Sequence, residues 1–521
     1  MTHRPTVRAA NGIVASGHHL ATAAGLQALR DGGSAVDAAV AAAAVCAVVL
    51  PNRCSIGGDV FALVYDANTR KVTAYNGSGA APLEIDQLAF VHRGFGERGA
   101  RLATVPGCVA AWSDMLADGG RLGLDRALAP AIAYATEGFP VSDVLSAAIA
   151  EDADRLAADE VAARTYSPRG REPRPGEMLQ QPDLAASLRA IADGGAEAFY
   201  RGPLAERFAD GVSKLGGWIT VDDLAAHATD RRDPIETPYR GLRVVGQPPV
   251  SQGHVLLEEL AIAEGLDLGA MGWGSAEQIH TMVEIKKLAF ADRDALAGDP
   301  ARVPFVAEEL FAASFAAQRR RAIPNRATDR VEPAALPADT TYLTVVDRDG
   351  NAVSLIESVF SAFGAATIVP GTGILLNNRL SGFSLDARSP NVLAPGKRPV
   401  HTLNTVIVLD GTAPRFVYGT PGRHAQVQTN FQIGVGLIDH GLGVQEVIEA
   451  PRWYHGSGRT LQLESRYPEQ VRKGLSAKGH DLQLLGEWAE VTGGVQAIAI
   501  DANGVFSGGA DPRREGYAAG Y

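Results

Sequence analysis

The stretch "PADTTYLTVVDRDGNAVSLIESVF", residues 337–360, decides how this chain is read. Two β-rich runs flank Asp349-Gly350, a dipeptide suited to a tight turn, so the segment predicts a hairpin. Thr340 and Thr341 stand at the head of its first strand. Branching at Cβ suits threonine to a pleated strand, and that alone accounts for the pair. A chemical role needs more, because a threonine hydroxyl is a weak nucleophile until a base takes its proton. The residue's own α-amino group is one such base, titrating at about 7.7–8.0, well below lysine. Residue 340 owns that amine only if the chain is cut between Asp339 and Thr340. Attack of the hydroxyl on the preceding carbonyl, an N-to-O acyl shift and hydrolysis of the resulting ester would make the cut.

The totals narrow the field. A net charge of −11 argues against nucleic acid or an anionic membrane as the main partner, since both recruit basic surface. No apolar run follows the basic residues of "MTHRPTVRAANG", so no secretory signal is expected. The longest apolar stretch, 35–51, contains Asp37 and stops at Pro51, short of a membrane span. Cys46, Cys54 and Cys108 are an odd set without CxxC spacing, which reads as buried thiols in a reducing compartment. Cytoplasm is the expected location.

Along the chain, residues 20–50 read as two helices around "DGGS", with Ser34 capping the second and Asp37 three residues on. Residues 60–79 read as a hairpin, 109–232 as mostly helical, and 275–296 as a long helix. Further hairpins are expected at 405–420 and 495–509, with helices near 425–438 and 468–479. Without linker, repeat or low-complexity tract, one α/β unit of antiparallel sheet and helical layers fits better than several domains. "GFGERG" (94–99) has the spacing of a dinucleotide loop, but no helix opens after it and Pro106 follows soon, so a surface loop is expected. No histidine stands in HExxH or another ligand spacing; His401 and His424 read as structural or pocket-lining. GxSxG, SxxK and Walker motifs are absent too. Neither cofactor nor metal is expected.

What remains is a resemblance that spans nearly the whole chain. "DGGSAVDAAVA" (31–41), "CSIGGDVFALVYD" (54–66), "TVPGCVAAW" (104–112), "GGWITVDDLAAH" (216–227) and "LAFADRDALAGDP" (288–300) resemble large-subunit blocks of the γ-glutamyltransferase family. "TTYLTVVDRDGNAVS", "FGAATIVPGTGILLNN", "APGKRP", "YGTPG" and "ADPRREGYAAGY" follow in that family's order. The resemblance implies an αββα sandwich of the N-terminal-nucleophile hydrolases. It also implies self-cleavage at Asp339–Thr340 into a large subunit, 1–339, and a small catalytic subunit, 340–521, which stay paired. By the same resemblance Thr340 is the nucleophile, Ser358 the hydroxyl that steadies it, and Gly422 lies in the turn that forms the oxyanion hole.

The substrate pocket departs from the family pattern. Ser78 stands where an arginine holds the substrate carboxylate. Phe360, Arg379 and Gly382 align with an asparagine, a glutamine and an aspartate; His401-Thr402 replace a serine pair, and Arg423 a glycine. The segment from Phe383 to Pro399 is short, so the family's lid loop is expected to be missing. Phe360, Arg379, His401 and Arg423 suggest positive charge with no nearby carboxylate, suited to a substrate with an anionic end and no ammonium; a missing lid suits a bulky acyl or amine portion, and small anionic amides are also compatible. The leading expectation is amide hydrolysis through a Thr340 acyl-enzyme, as in cephalosporin-acylase-like or oxamate-amidohydrolase-like relatives. A true γ-glutamyl hydrolase and transpeptidase, and an uncut binding relative, are the alternatives.

Overall fold

The computed structural model describes residues 2–329 and 339–521. The expected helix pair is α1 (His19–Arg30) and α2 (Ala35–Val49). Ser34 accepts the backbone N–H groups of Val36 and Asp37, while Asp37 Oδ2 takes the Ser34 N–H at 2.8 Å, a reciprocal cap. Asp37 also accepts the N–H groups of Arg121 and Leu122, so the cap docks a distant loop. Every residue of α2 is buried, which explains why its sequence is apolar on all sides.

The four expected hairpins form. They are β1 (Asp59–Asp66) with β2 (Lys71–Gly77), β3 (Asp339–Asp347) with β4 (Ala352–Phe360), β5 (Val406–Asp410) with β6 (Ala413–Gly419), and β7 (Gln496–Ile500) with β8 (Phe506–Ala510). Two seven-stranded antiparallel sheets contain them. One runs Tyr517–Gly520, Gly12–Ser16, β3, β4, β1, β2, Asp230–Arg232; the other runs Val7–Ala9, β8, β7, β6, β5, Leu242–Gly246, Ile235–Tyr239.

Alternation along the strands builds four layers. Leu343 and Val345 of β3 with Val353 and Leu355 of β4 pack against α2. Their alternates, Tyr342, Val346, Ala352 and Ile356, face the second sheet and meet Ile407, Val417 and Leu403. Each such aliphatic side chain, fully buried, contributes roughly 1.5–3 kcal/mol. Behind the second sheet lie α3 (Gly253–Glu264), α4 (Ala276–Leu296) and α5 (Ala425–Ile438), packed on Val406, Val408 and Tyr418. This is the expected αββα sandwich. The expected helix near 468–479 is α6 (Glu469–Ala477), outside these layers. "GFGERG" follows a short helix, Gln87–Arg93, with Gly94 and Gly96 exposed and Gly99 half-buried, as expected of a surface loop. Among the described residues no helix is long and apolar enough to cross a membrane. The three cysteines are buried and unpaired, and burial raises each thiol pKa, so none is poised as a nucleophile.

Candidate active site

The first sheet delivers its chemistry at one end. Asp339 pairs with Phe360 and Thr341 with Glu357, so Ser358 and Val359 together oppose the single residue Thr340. Such a bulge re-aims side chains, and here it brings the Thr340 Oγ1 hydroxyl to donate to Ser358 Oγ at 3.2 Å. Ser358 Oγ also accepts the Phe360 N–H at 2.8 Å. Phe360 reaches that position with φ of 82°, a left-handed conformation costly for a bulky residue. Thr340 and Thr341 go separate ways. Thr340 shares the face of Tyr342, between the sheets, whereas Thr341 turns toward the helices, where a side chain at Gly17 would strike its Oγ1. Both threonines are buried.

The second sheet brings Gly422. Strand β6 ends at Gly419, where any side chain would run into the ring of Tyr342, two residues beyond Thr340. The turn that follows holds Gly422 at φ 131° and Arg423 at φ 59°, and α5 begins at Ala425. The Gly494 N–H donates to Thr420 Oγ1 at 2.8 Å and braces the turn. The Gly422 N–H donates to no described residue, and it stands at a helix N-terminus, where the dipole favours developing negative charge.

The pocket residues need a correction. Arg379 was expected to present charge with no carboxylate near it. Instead its Nε donates to Asp59 Oδ2 at 2.8 Å, with both side chains essentially inaccessible, and its guanidinium lies 4.8 Å from the Phe360 ring centroid. Burial pulls the Asp59 pKa up and that of Arg379 down, against their mutual attraction. Asp59 Oδ1 accepts the Gly79 N–H at 3.1 Å, so the carboxylate is fully engaged, while Arg379 Nη2 has no partner among the described residues. His401 is also not a cation. It is fully buried, edge-on to Phe61, and burial with Arg379 and Arg398 nearby holds its pKa well below the usual range. Neither of its ring nitrogens has a described partner. Ser78 is buried and donates its hydroxyl to Asn76 Oδ1 at 2.6 Å, and Thr402 accepts from Gln252 Nε2 at 3.1 Å through its carbonyl. The short 383–399 segment is tied down by Asn391, whose Nδ2 donates to the Gly382 carbonyl at 2.8 Å, and its Phe383 and Leu393 pack with Phe90.

Two features escaped the sequence reading. Glu357, directly across from Thr341, is fully buried on the helix side with the Cys54 thiol beside it, and burial pushes its pKa up to about 8. His280 and Glu284 lie one helical turn apart on α4, a spacing that suits metal ligands, and the fold adds His480 to them, with ligand atoms within 4.8 Å of one another. Most of its ligand atoms are already hydrogen-bonded, although His480 Nδ1 has no partner among the described residues. His280 Nδ1 meets His480 Nε2 at 3.0 Å, and Glu284 takes Lys287 Nζ and Thr328 Oγ1, each at 2.7 Å.

Comparison with known proteins matches residues 21–521 to the family model "Gamma-glutamyltranspeptidase". The chain is 39% identical over 517 residues to the glutathione hydrolase-like YwrD proenzyme of Bacillus subtilis, covering 98% of each chain. It is 36% identical to the oxamate amidohydrolase proenzyme of Klebsiella pneumoniae, again over 98% of each. Among solved structures it resembles the cephalosporin acylase from Bacillus halodurans at 36% identity, with a TM-score of 0.94 over 100% of this chain and 98% of the other.

Proposed function

The chain belongs to the gamma-glutamyltranspeptidase family as an amide-hydrolysing enzyme with the N-terminal-nucleophile fold, and we propose that its nucleophile is Thr340. The observation that carries this reading is the Thr340 Oγ1–Ser358 Oγ contact of 3.2 Å in the strand bulge, on the face between the sheets. In the continuous chain the Thr340 nitrogen is still an amide. Its hydroxyl attacks the Asp339 carbonyl, the C–N bond gives way to an ester, and water releases residues 1–339 from 340–521. The freed α-amine then takes the hydroxyl proton as Thr340 attacks a substrate amide. The Gly422 N–H stabilises the oxyanion, the amine departs with the proton, and water hydrolyses the ester.

The substrate in this proposal is a small amide whose acyl part ends in an anion and carries no ammonium. Support comes from Asp59. Its carboxylate, the acid beside the pocket residues, is consumed by Arg379 and Gly79, so no carboxylate of the set is left to receive an ammonium. Arg379 Nη2 and the ring nitrogens of His401, buried and without partners among the described residues, favour negative rather than positive charge nearby. The test is release of p-nitroaniline from glutaryl-p-nitroanilide and from γ-glutamyl-p-nitroanilide. Preference for the glutaryl compound by tenfold or more is expected. Preference for the γ-glutamyl compound, with acceleration by glycylglycine, would instead establish γ-glutamyl transfer.

A further inference from the structure

At the far end of the row that begins with Thr340 lies a cavity of about 320 Å³, lined by Asn76, Thr229, Asp230, Arg232, Asp299 and Arg398 together with small apolar residues. Its place follows from the register. Thr340 on β3 faces Ser358 on β4, Ser358 pairs with Asp59 on β1, and Val60 pairs with Gly77 on β2, one residue from Asn76. Three strand spacings put the cavity edge about 14 Å from the nucleophile.

Donors dominate what this wall leaves unused. Arg398 Nε donates to the Ser78 carbonyl at 3.0 Å and Nη2 to the Ala228 carbonyl at 2.8 Å, and no carboxylate of the described residues forms an ion pair with its guanidinium. The two acids beside it are engaged elsewhere. Asp230 takes Arg232 Nε at 3.1 Å, and Asp299 takes the backbone N–H groups of Ala301 at 3.0 Å and of Arg398 at 2.9 Å. Asn76 Oδ1 accepts both the N–H and the hydroxyl of Ser78, which fixes the amide orientation and leaves Nδ2 without a described partner. Thr229 Oγ1 is buried and has no partner among the described residues. A guanidinium held by carbonyls, with Asp230 and Asp299 near it but engaged elsewhere, beside an amide NH2 and a hydroxyl without described partners, has the chemistry of a carboxylate receptor.

The geometry points to this cavity as a second binding site, for a small carboxylate, separate from the Thr340 centre. Its volume is at the small end of ligand pockets, which limits the ligand to a compact acid. The site owes nothing to Thr340 chemistry, so it can be tested whatever amide the enzyme cleaves.

The probe is acetate, a compact acid that the glutaryl substrate proposed above does not release, titrated calorimetrically into the full-length protein. Asn76→Asp keeps the acceptor that holds Ser78 and replaces the ligand-facing NH2 by an anionic oxygen. Saturable binding to the wild type is expected, weakened about tenfold or more in Asn76→Asp. Thr229→Val removes one hydroxyl from the same wall and is expected to weaken binding about threefold to tenfold. It decides the matter alone if Asn76→Asp does not fold. Ser358→Ala, at the nucleophile, should leave acetate binding as it is. Absence of saturable binding, equal affinity in the wild type and the cavity variants, or loss of binding in Ser358→Ala would each overturn the assignment.

Discussion

Replacing Glu357 by glutamine gives a stability prediction of definite size and sign. Burial raises the carboxyl of Glu357 from an ordinary 4.5 to about 8, with only the Cys54 thiol beside it pulling the other way. Between those two values the folded protein holds a proton that the unfolded chain has released. Stability therefore falls as pH rises through this window, by about 1.4 kcal/mol per pH unit, and the whole loss is present above the folded pKa. From pH 5.5 to 7.5 this one group costs about 3 kcal/mol. Glu357→Gln keeps the shape and cannot ionise, so its stability relative to the parent should improve by that amount over the same two pH units. The assay is urea unfolding at both pH values, with each protein also carrying Thr340→Ala so that a single chain is followed. Taking the difference between the two proteins cancels every other titrating group. A difference that stays constant within about 0.5 kcal/mol would refute the buried, protonated Glu357.

Other consequences follow from the same geometry. Ser358→Ala removes the hydroxyl aimed at Thr340 and should lower kcat about tenfold, with KM moving less, as steady-state kinetics would record. Asp59→Asn strands the Arg379 guanidinium in the interior and should destabilise the fold by about 3–5 kcal/mol in urea unfolding, while Asp59→Asn combined with Arg379→Gln should recover part of the loss. If the Thr340 amine is the base, kcat/KM should rise with pH through about 7.7–8.0, and a flat profile from pH 6 to 9 would assign the proton elsewhere.

Local features were legible in the chain because local rules produce them. Asp349-Gly350 marks the β3–β4 turn, Ser34 and Asp37 make the α2 cap, and alternating apolar residues give each hairpin. The layer order rested on the family resemblance, which the packing of Leu343 against α2 and of Tyr342 toward the second sheet bears out. Contacts between distant residues were not legible. Asp59 and Arg379 are 320 positions apart, and nothing near either one names its partner. A physical signal did exist: an arginine placed at a buried site demands an acid, and Asp59 opens the strand next to Ser358. Strand parity would have placed Glu357 with Thr341 on the helix side, where a carboxyl must be protonated or paired. His401 was read as charge because its residue type was visible and its burial was not.

Thr340 as the self-processing nucleophile is tested most directly by intact mass under denaturing conditions. Wild-type protein is predicted to give two species, corresponding to 1–339 and 340–521, while Thr340→Ala stays a single chain. A single full-length wild-type species, or a Thr340→Ala protein cut at the same bond, would contradict the account.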